Sequence, residues 1–191
     1  AELTLITDGA MQYRINDAVF SVKKDDIIFA NCGALHSGEK LTGSHKDCHY
    51  TAVTFDPKLI YGFDASRIYE KYVSSLSDNF SCFGFCIHHE KMDTWEREFS
   101  EHTRSLISNG EKSDAGFELS VVSDLSVLWR LFYLHGAPEE SSQKHLNARN
   151  YGRIRDIISF IEENYQDDIS LEDIARSVGF SRSECSRTFK A

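Results

Sequence analysis

A mostly-β barrel or sandwich followed by a small all-α segment is the fold class this chain predicts, and three observations predict it. Apolar residues alternate at period two in short runs as far as Phe55, the period turns helical in two stretches near the middle, and three amphipathic segments close the chain. The length of 191 residues, 41% of them hydrophobic, suffices for one medium domain and a small one.

Leu3, Leu5, Tyr13, Ile15, Phe20, Val22, Ile27 and Phe29 carry the first strands, separated by Asp8-Gly9 and Asn16-Asp17. Asp, Asn and Gly tolerate tight-turn torsions, so both dipeptides predict hairpins. Residues 50–55 form another strand, stopped by Asp56-Pro57, and residues 80–88 a late one, with a brief helix or turn over 69–76 between them. Closely spaced antiparallel strands of this kind imply a closed or layered sheet. Trp95, Phe99, His102, Leu106 and Ile107 then make one helical stripe. Leu119, Val122, Leu125, Leu128, Leu131 and Phe132 make a longer one, and both predict helices packed outside the sheet. Gly136-Ala137-Pro138 stops the second helix, and the polar stretch that follows predicts a linker over 137–148. The expected domains are residues 1–136 and 149–191.

In the C-terminal segment, Ile154, Ile157, Ile158, Ile161 and Tyr165 make a single apolar stripe over a helix at 150–164. Ser170 with Asp173 forms a capping box that opens a short helix with Leu171, Ile174, Ala175 and Val178 inward. Gly179 supplies the left-handed residue that ends it, and Phe180 plugs the corner. Ser181 with Glu184 opens a third helix, on which Cys185 and Phe189 face inward. Arg182, Ser183, Ser186, Arg187 and Lys190 fall on its outer face, where arginines could meet base edges and Lys190 a phosphate. Two short helices joined by a Gly-containing turn describe a helix-turn-helix, with an ordinary solvated helical hairpin as the plainer alternative.

The net charge of −9 is unevenly placed: residues 149–191 sum to −1 and the remainder to −8. A nucleic-acid footprint is therefore local, with Arg182, Arg187 and Lys190 against Glu184 alone. Five cysteines without a C-x-x-C pair read as reduced thiols and a cytoplasmic location. Neither a signal peptide nor an apolar run of membrane-spanning length is present, so no membrane partner is expected. The opening E-L-T-L-I-T-D-G reads as mid-strand, so a start further upstream is expected.

The text I-S-L-E-D-I-A-R-S-V-G-F-S-R-S-E-C-S-R-T-F-K, preceded by I-I-S-F-I-E-E-N-Y, resembles the first helix-turn-helix of the AraC/XylS family of transcription regulators. F-S-V-K-K-D-D-I-I-F-A-N-C-G-A-L-H-S resembles the cupin-type sensor domain that precedes it in many of these proteins. Lys24-Asp25-Asp26 departs from the family's Lys-Gly-Asp turn, and Asn31-Cys32-Gly33 from its loop. The resemblance implies a mostly-β cupin-like barrel with two exterior α-helices and, after a linker, part of an all-α DNA-binding domain. It also implies operator DNA and a small-molecule effector such as a sugar as partners, and a homodimer formed through the exterior helices. Such proteins normally carry a second helix-turn-helix, which this chain lacks, so weak operator binding by these 191 residues is expected.

Within the barrel, His36 occupies the position of the family's Leu-His-Ser histidine at the mouth. Tyr13, Phe29, Tyr50 and Phe55 are aromatic candidates for an effector lining, or else core. A cupin metalloenzyme such as a sugar isomerase or dioxygenase is the alternative reading. It would need converging imidazoles, yet His36, Glu39, His45, His49, His88 and His89 contain no His-x-His, and neighbouring His88 and His89 on a strand would face opposite ways. Cys32 near His36 has nothing to orient the imidazole for nucleophilic catalysis. No catalytic residue, metal or cofactor is expected.

Overall fold

The computed structural model describes residues 1–41, 46–77, 83–112, 114–136 and 142–190. They form two compact units, Ala1–Glu139 and Glu140–Ala191. The first contains β1 (Glu2–Asp8), β2 (Ala10–Ile15), β3 (Ala18–Lys23), β4 (Ile27–Ala30), β5 (His36–Lys40), β6 (His49–Thr54) and β7 (Gly84–Ile87). These make two antiparallel sheets, ordered β6-β1-β4-β7 and β3-β2-β5. Helix α1 (Lys58–Tyr61), a π-turn at Tyr69–Val73 continuing into α2 (Ser74–Ser77), α3 (Thr94–Lys112) and α4 (Phe117–His135) complete the unit. No described helix is long and apolar enough to cross a membrane.

The Asn16-Asp17 hairpin forms, with Ile15 paired to Ala18 and Asn16 at φ 50°. Asp8-Gly9 is no hairpin. β1 pairs with β4 and β6, whereas β2 pairs with β3 and β5, so this dipeptide carries the chain from one sheet to the other. The left-handed backbone that suggested a hairpin is real, with Gly9 at φ 77°, but the carbonyl of Asp47 occupies the space a Cβ there would need.

The four-stranded sheet is buried on both faces, and that sets the layering. Leu3 and Leu5 of β1, with Ile27 and Phe29 of β4, pack against Phe99 and Leu106 of α3 and Leu125, Leu128 and Phe132 of α4. Ile6, Ile28 and Ala30, on the alternate positions, meet Met11, Tyr13, Ile15 and Val22 of the three-stranded sheet. All four residues of β4 are accordingly buried, as expected of a strand covered on both sides.

On α3, Phe99 and Leu106 are inward as predicted, and His102 meets buried Asp124 of α4 through Nδ1 at 2.8 Å. The stripe on α4 starts later than its periodicity suggests. Leu119 is 78% exposed, and burial begins at Asp124. Residues 80–82 of the late strand lie outside the described residues, as do residues 137–141 of the stretch read as linker. Residues 142–148 of that stretch are not linker-like coil; they belong to α5 (Ser142–Asn164).

The second unit consists of α5, α6 (Leu171–Ser177) and α7 (Arg182–Lys190) around a small core of Ile157, Ala175 and Cys185, joined by Ile161, Ile174, Val178 and Phe180. Two inward assignments fail. Tyr165 is 67% exposed, since α5 has ended at Asn164, and Leu171 is 39% exposed at the first position of α6.

Candidate functional site

The open end of the sheet pair holds a polar cluster built around Glu2. Strand alternation and register put Glu2, Thr4 and Ile6 of β1 on the face that looks toward the three-stranded sheet, beside Thr54, Ala52 and Tyr50 of β6. The Thr4 hydroxyl donates to Glu2 Oε1 at 3.0 Å and the Tyr13 hydroxyl to the same oxygen at 3.1 Å. The Thr54 hydroxyl donates to Oε2 at 3.2 Å, and His36 Nε2 stands 3.4 Å from that oxygen. The His36 ring lies nearly parallel to that of Tyr13, 6.2 Å between centroids. Opposite Tyr13 in β5 is Gly38, and the Met11 side chain takes the space a Cβ there would need.

Burial opposes ionisation of Glu2, but the hydrogen bond from Thr4, the charge of His36 and the contacts from His36 and Tyr13 outweigh it. Its carboxyl titrates below the usual glutamate range. Burial first, then the neighbouring Glu2 charge, pushes the Tyr13 phenol up to about 12, although a hydrogen bond with Thr4 works the other way. The mouth therefore presents an anionic acceptor backed by neutral hydroxyls.

Of the aromatic candidates, Tyr13 and Tyr50 are on this interior face, Tyr13 buried and Tyr50 55% exposed. Phe29 and Phe55 are not. They sit on the other side of the four-stranded sheet, in the core beneath the helices, with the Phe29 ring tilted against that of Phe132, 4.6 Å between centroids. Odd positions of β1 and β4 face the helices, so an aromatic at position 29 is core by register alone. Glu2, Thr4 and Thr54 were missed. Their signal was the alternation of polar residues in strands whose other face is apolar, legible only once the sheet is known to be covered twice.

Asp26 anchors a second polar cluster on the same unit. Its buried carboxylate accepts the backbone amides of Lys23 and His89, both at 3.0 Å, and lies 3.1 Å from His88 Nδ1 and 3.2 Å from His89 Nδ1. The expectation that His88 and His89 point apart is overturned, because β7 stops at Ile87 and both imidazoles leave the following turn toward one carboxylate. Despite the opposing cost of burial, these bonds hold Asp26 below the ordinary aspartate range. Its role is to tie the β3–β4 turn, with Asp25 at φ 72°, to the end of β7. His45 lies outside the described residues. Among those described, no group of three His, Cys, Asp or Glu side chains is arranged to hold a metal ion.

On the second unit, both capping boxes form. Ser170 and Asp173 bond reciprocally, and the Ser181 amide and hydroxyl donate to Glu184 Oε2 at 2.9 and 2.6 Å while Glu184 N returns to Ser181 Oγ at 3.3 Å. Between them Gly179 has φ 69°, its amide donates to Arg176 O at 3.2 Å, and the Phe180 amide donates to Ala175 O at 2.8 Å. That pair of bonds is the Schellman termination of α6. Phe180 is braced from outside by the Arg153 guanidinium, 4.7 Å above its ring. The result turns α7 so that Arg182, Ser183 and Arg187 are exposed and Ser186 half-buried, and these four with Leu171 line an open groove. The side chains of Phe189 and Lys190 lie outside the described residues.

Residues 1–79 match the family described as AraC-like ligand binding domain. Over 191 residues the chain is 26% identical to the uncharacterized HTH-type transcriptional regulator YdeC of Bacillus subtilis (strain 168), covering 99% of this chain and 62% of that protein. Its fold is similar to the crystal structure of the AraC-like transcriptional activator CuxR, with a TM-score of 0.50 at 12% identity over 99% of this chain and 60% of that one. The chain thus spans somewhat less than two thirds of the length of either.

Proposed function

We propose that the chain is the sensing domain and first helix-turn-helix of an AraC-type, effector-responsive transcription regulator. A small molecule held at the barrel mouth biases the arrangement of sensor and DNA-binding units, and α7 enters the major groove. The match of residues 1–79 supports the receptor half, and the likeness to a helix-turn-helix regulator along almost the whole chain supports the other. The single observation that carries the reading is the outer face of α7. Two arginines and two serines are presented together there by a Schellman turn and a capping box, the geometry a recognition helix needs. Regulation requires that the effector bind two states unequally, as any ligand-driven shift does.

Regulators rather than enzymes are what the chain resembles, which supports a non-enzymatic reading. A cytoplasmic homodimer formed through α3 and α4 completes the proposal, supported by the 78% exposure of Leu119 and the 56% exposure of Leu134 on α4.

The test is chemical-shift mapping of the isotope-labelled chain titrated with duplex DNA from upstream of its own gene, a method that registers weak complexes. Perturbations centred on Arg182, Ser183, Ser186 and Arg187 are expected. Perturbations confined to the first unit, or none, would overturn the reading.

A further inference from the structure

Resting on the receptor reading above, we propose that the barrel mouth selects an effector by a hydrogen-bond donor group, a hydroxyl or an ammonium, clamped between Glu2 Oε2 and His36 Nε2, and that it rejects carboxylates.

The argument begins at the far side of the His36 ring. Nδ1 lies 2.9 Å from the carbonyl oxygen of Ala34, which can only accept, so Nδ1 carries a proton. In the neutral imidazole, Nε2 then bears a lone pair. That lone pair stands 3.4 Å from Glu2 Oε2, another acceptor, and Glu2, whose other oxygen accepts from the Thr4 and Tyr13 hydroxyls, is a carboxylate at neutral pH. Two acceptors that face each other with no proton between them repel, and a donor placed between both satisfies them together.

The two carboxylate oxygens are not equivalent. Oε1 is closed off by Thr4 and Tyr13, which are 1% and 4% exposed. Oε2 faces His36 and the Thr54 hydroxyl, where the Glu2 and His36 side chains keep 21% and 29% of their surface. Among the described residues of this cluster, Glu2, Tyr13 and His36, His36 is the titratable group that can become a cation. Lys40, further along β5, is turned to Asp47 at 3.1 Å, and Arg14 is on the opposite face of β2. A neutral His36 leaves the site with one net negative charge, which favours ammonium and hydroxyl donors over acids.

Two measurements test this on the intact chain. Nitrogen-15 spectra of the His36 ring, recorded where the imidazole is neutral, are expected to show a protonated Nδ1 and a bare Nε2. A proton on Nε2 in the free protein would overturn the proposal without any ligand. Calorimetric and thermal-shift titrations are then run with hexoses matched in skeleton, D-glucose, D-glucosamine and D-glucuronate, alongside panels of other polyols, amines and carboxylates. Compounds that bind are expected to be polyols or amines, the two arms telling hydroxyl from ammonium. Their affinity should fall about 10- to 100-fold in Glu2→Gln, as loss of a charge-assisted hydrogen bond requires. Binding by carboxylates, or donor binding indifferent to Glu2→Gln, would overturn the donor clamp while leaving the receptor reading intact. Silence from every class would overturn both.

Discussion

Glu2 and Asp26 are the two side chains whose chemistry departs furthest from their surroundings, and they respond differently to substitution. Asp26→Ala strands two backbone amides in a buried turn, a loss of about 3 kcal/mol in urea unfolding of the first unit. His88→Ala is expected to cost far less, since half of that side chain remains in solvent. Glu2→Gln removes a charge beside Tyr13. The phenol, pushed up to about 12, should then titrate lower in an ultraviolet pH titration, though still above ordinary tyrosine because burial is the larger cause. A Tyr13 titration unmoved by Glu2→Gln would break the assignment of that cluster.

Among the elements, the turn between α6 and α7 is the most exacting. Gly179 has open space around it, so nothing but its φ of 69° resists a side chain. Gly179→Ala should therefore cost only about 1–2 kcal/mol in the thermal unfolding of the second unit, the ordinary penalty of a left-handed non-glycine residue. A larger loss would mean that packing, not backbone torsion, holds the corner. α4 makes the opposite case: its exposed Leu119 contributes nothing to its own unit. Leu119→Glu is expected to leave the melting temperature nearly unchanged and to shift sedimentation toward monomer if α4 carries the dimer.

For the molecule as a whole, acid is the revealing variable. Glu2 and Asp26 both ionise more readily folded than unfolded, so their stabilisation is present above the ordinary carboxylate range and is lost as pH falls through their lowered values. The melting temperature of the first unit should decline below about pH 4, and the decline should shrink in Glu2→Gln. DNA association belongs to this scale too. Its salt dependence reports phosphates neutralised, and Arg187→Ala should weaken it by about 1–3 kcal/mol where Arg187 reads a base.

The sequence by itself determined most of the local events: the strands and helices apart from β5, α1 and the start of α5, the two capping boxes, Gly179 at a left-handed turn, and the division into a β-rich part and a helical part. These depend on side-chain period and backbone preference within a few residues, which are written along the chain. Tertiary structure alone decided which face of each strand is which. Asp8-Gly9 looked like a hairpin because its residue types favour tight turns, and only the pairing of β1 with β4 and β6 shows it to be a passage between sheets. The same pairing sent Phe29 and Phe55 under the helices and brought Glu2, Thr54 and His36 together across up to 52 positions of sequence. Alternation says that neighbours in a strand face opposite ways, but a sheet covered on both sides makes either face a core, and long-range register chooses between them.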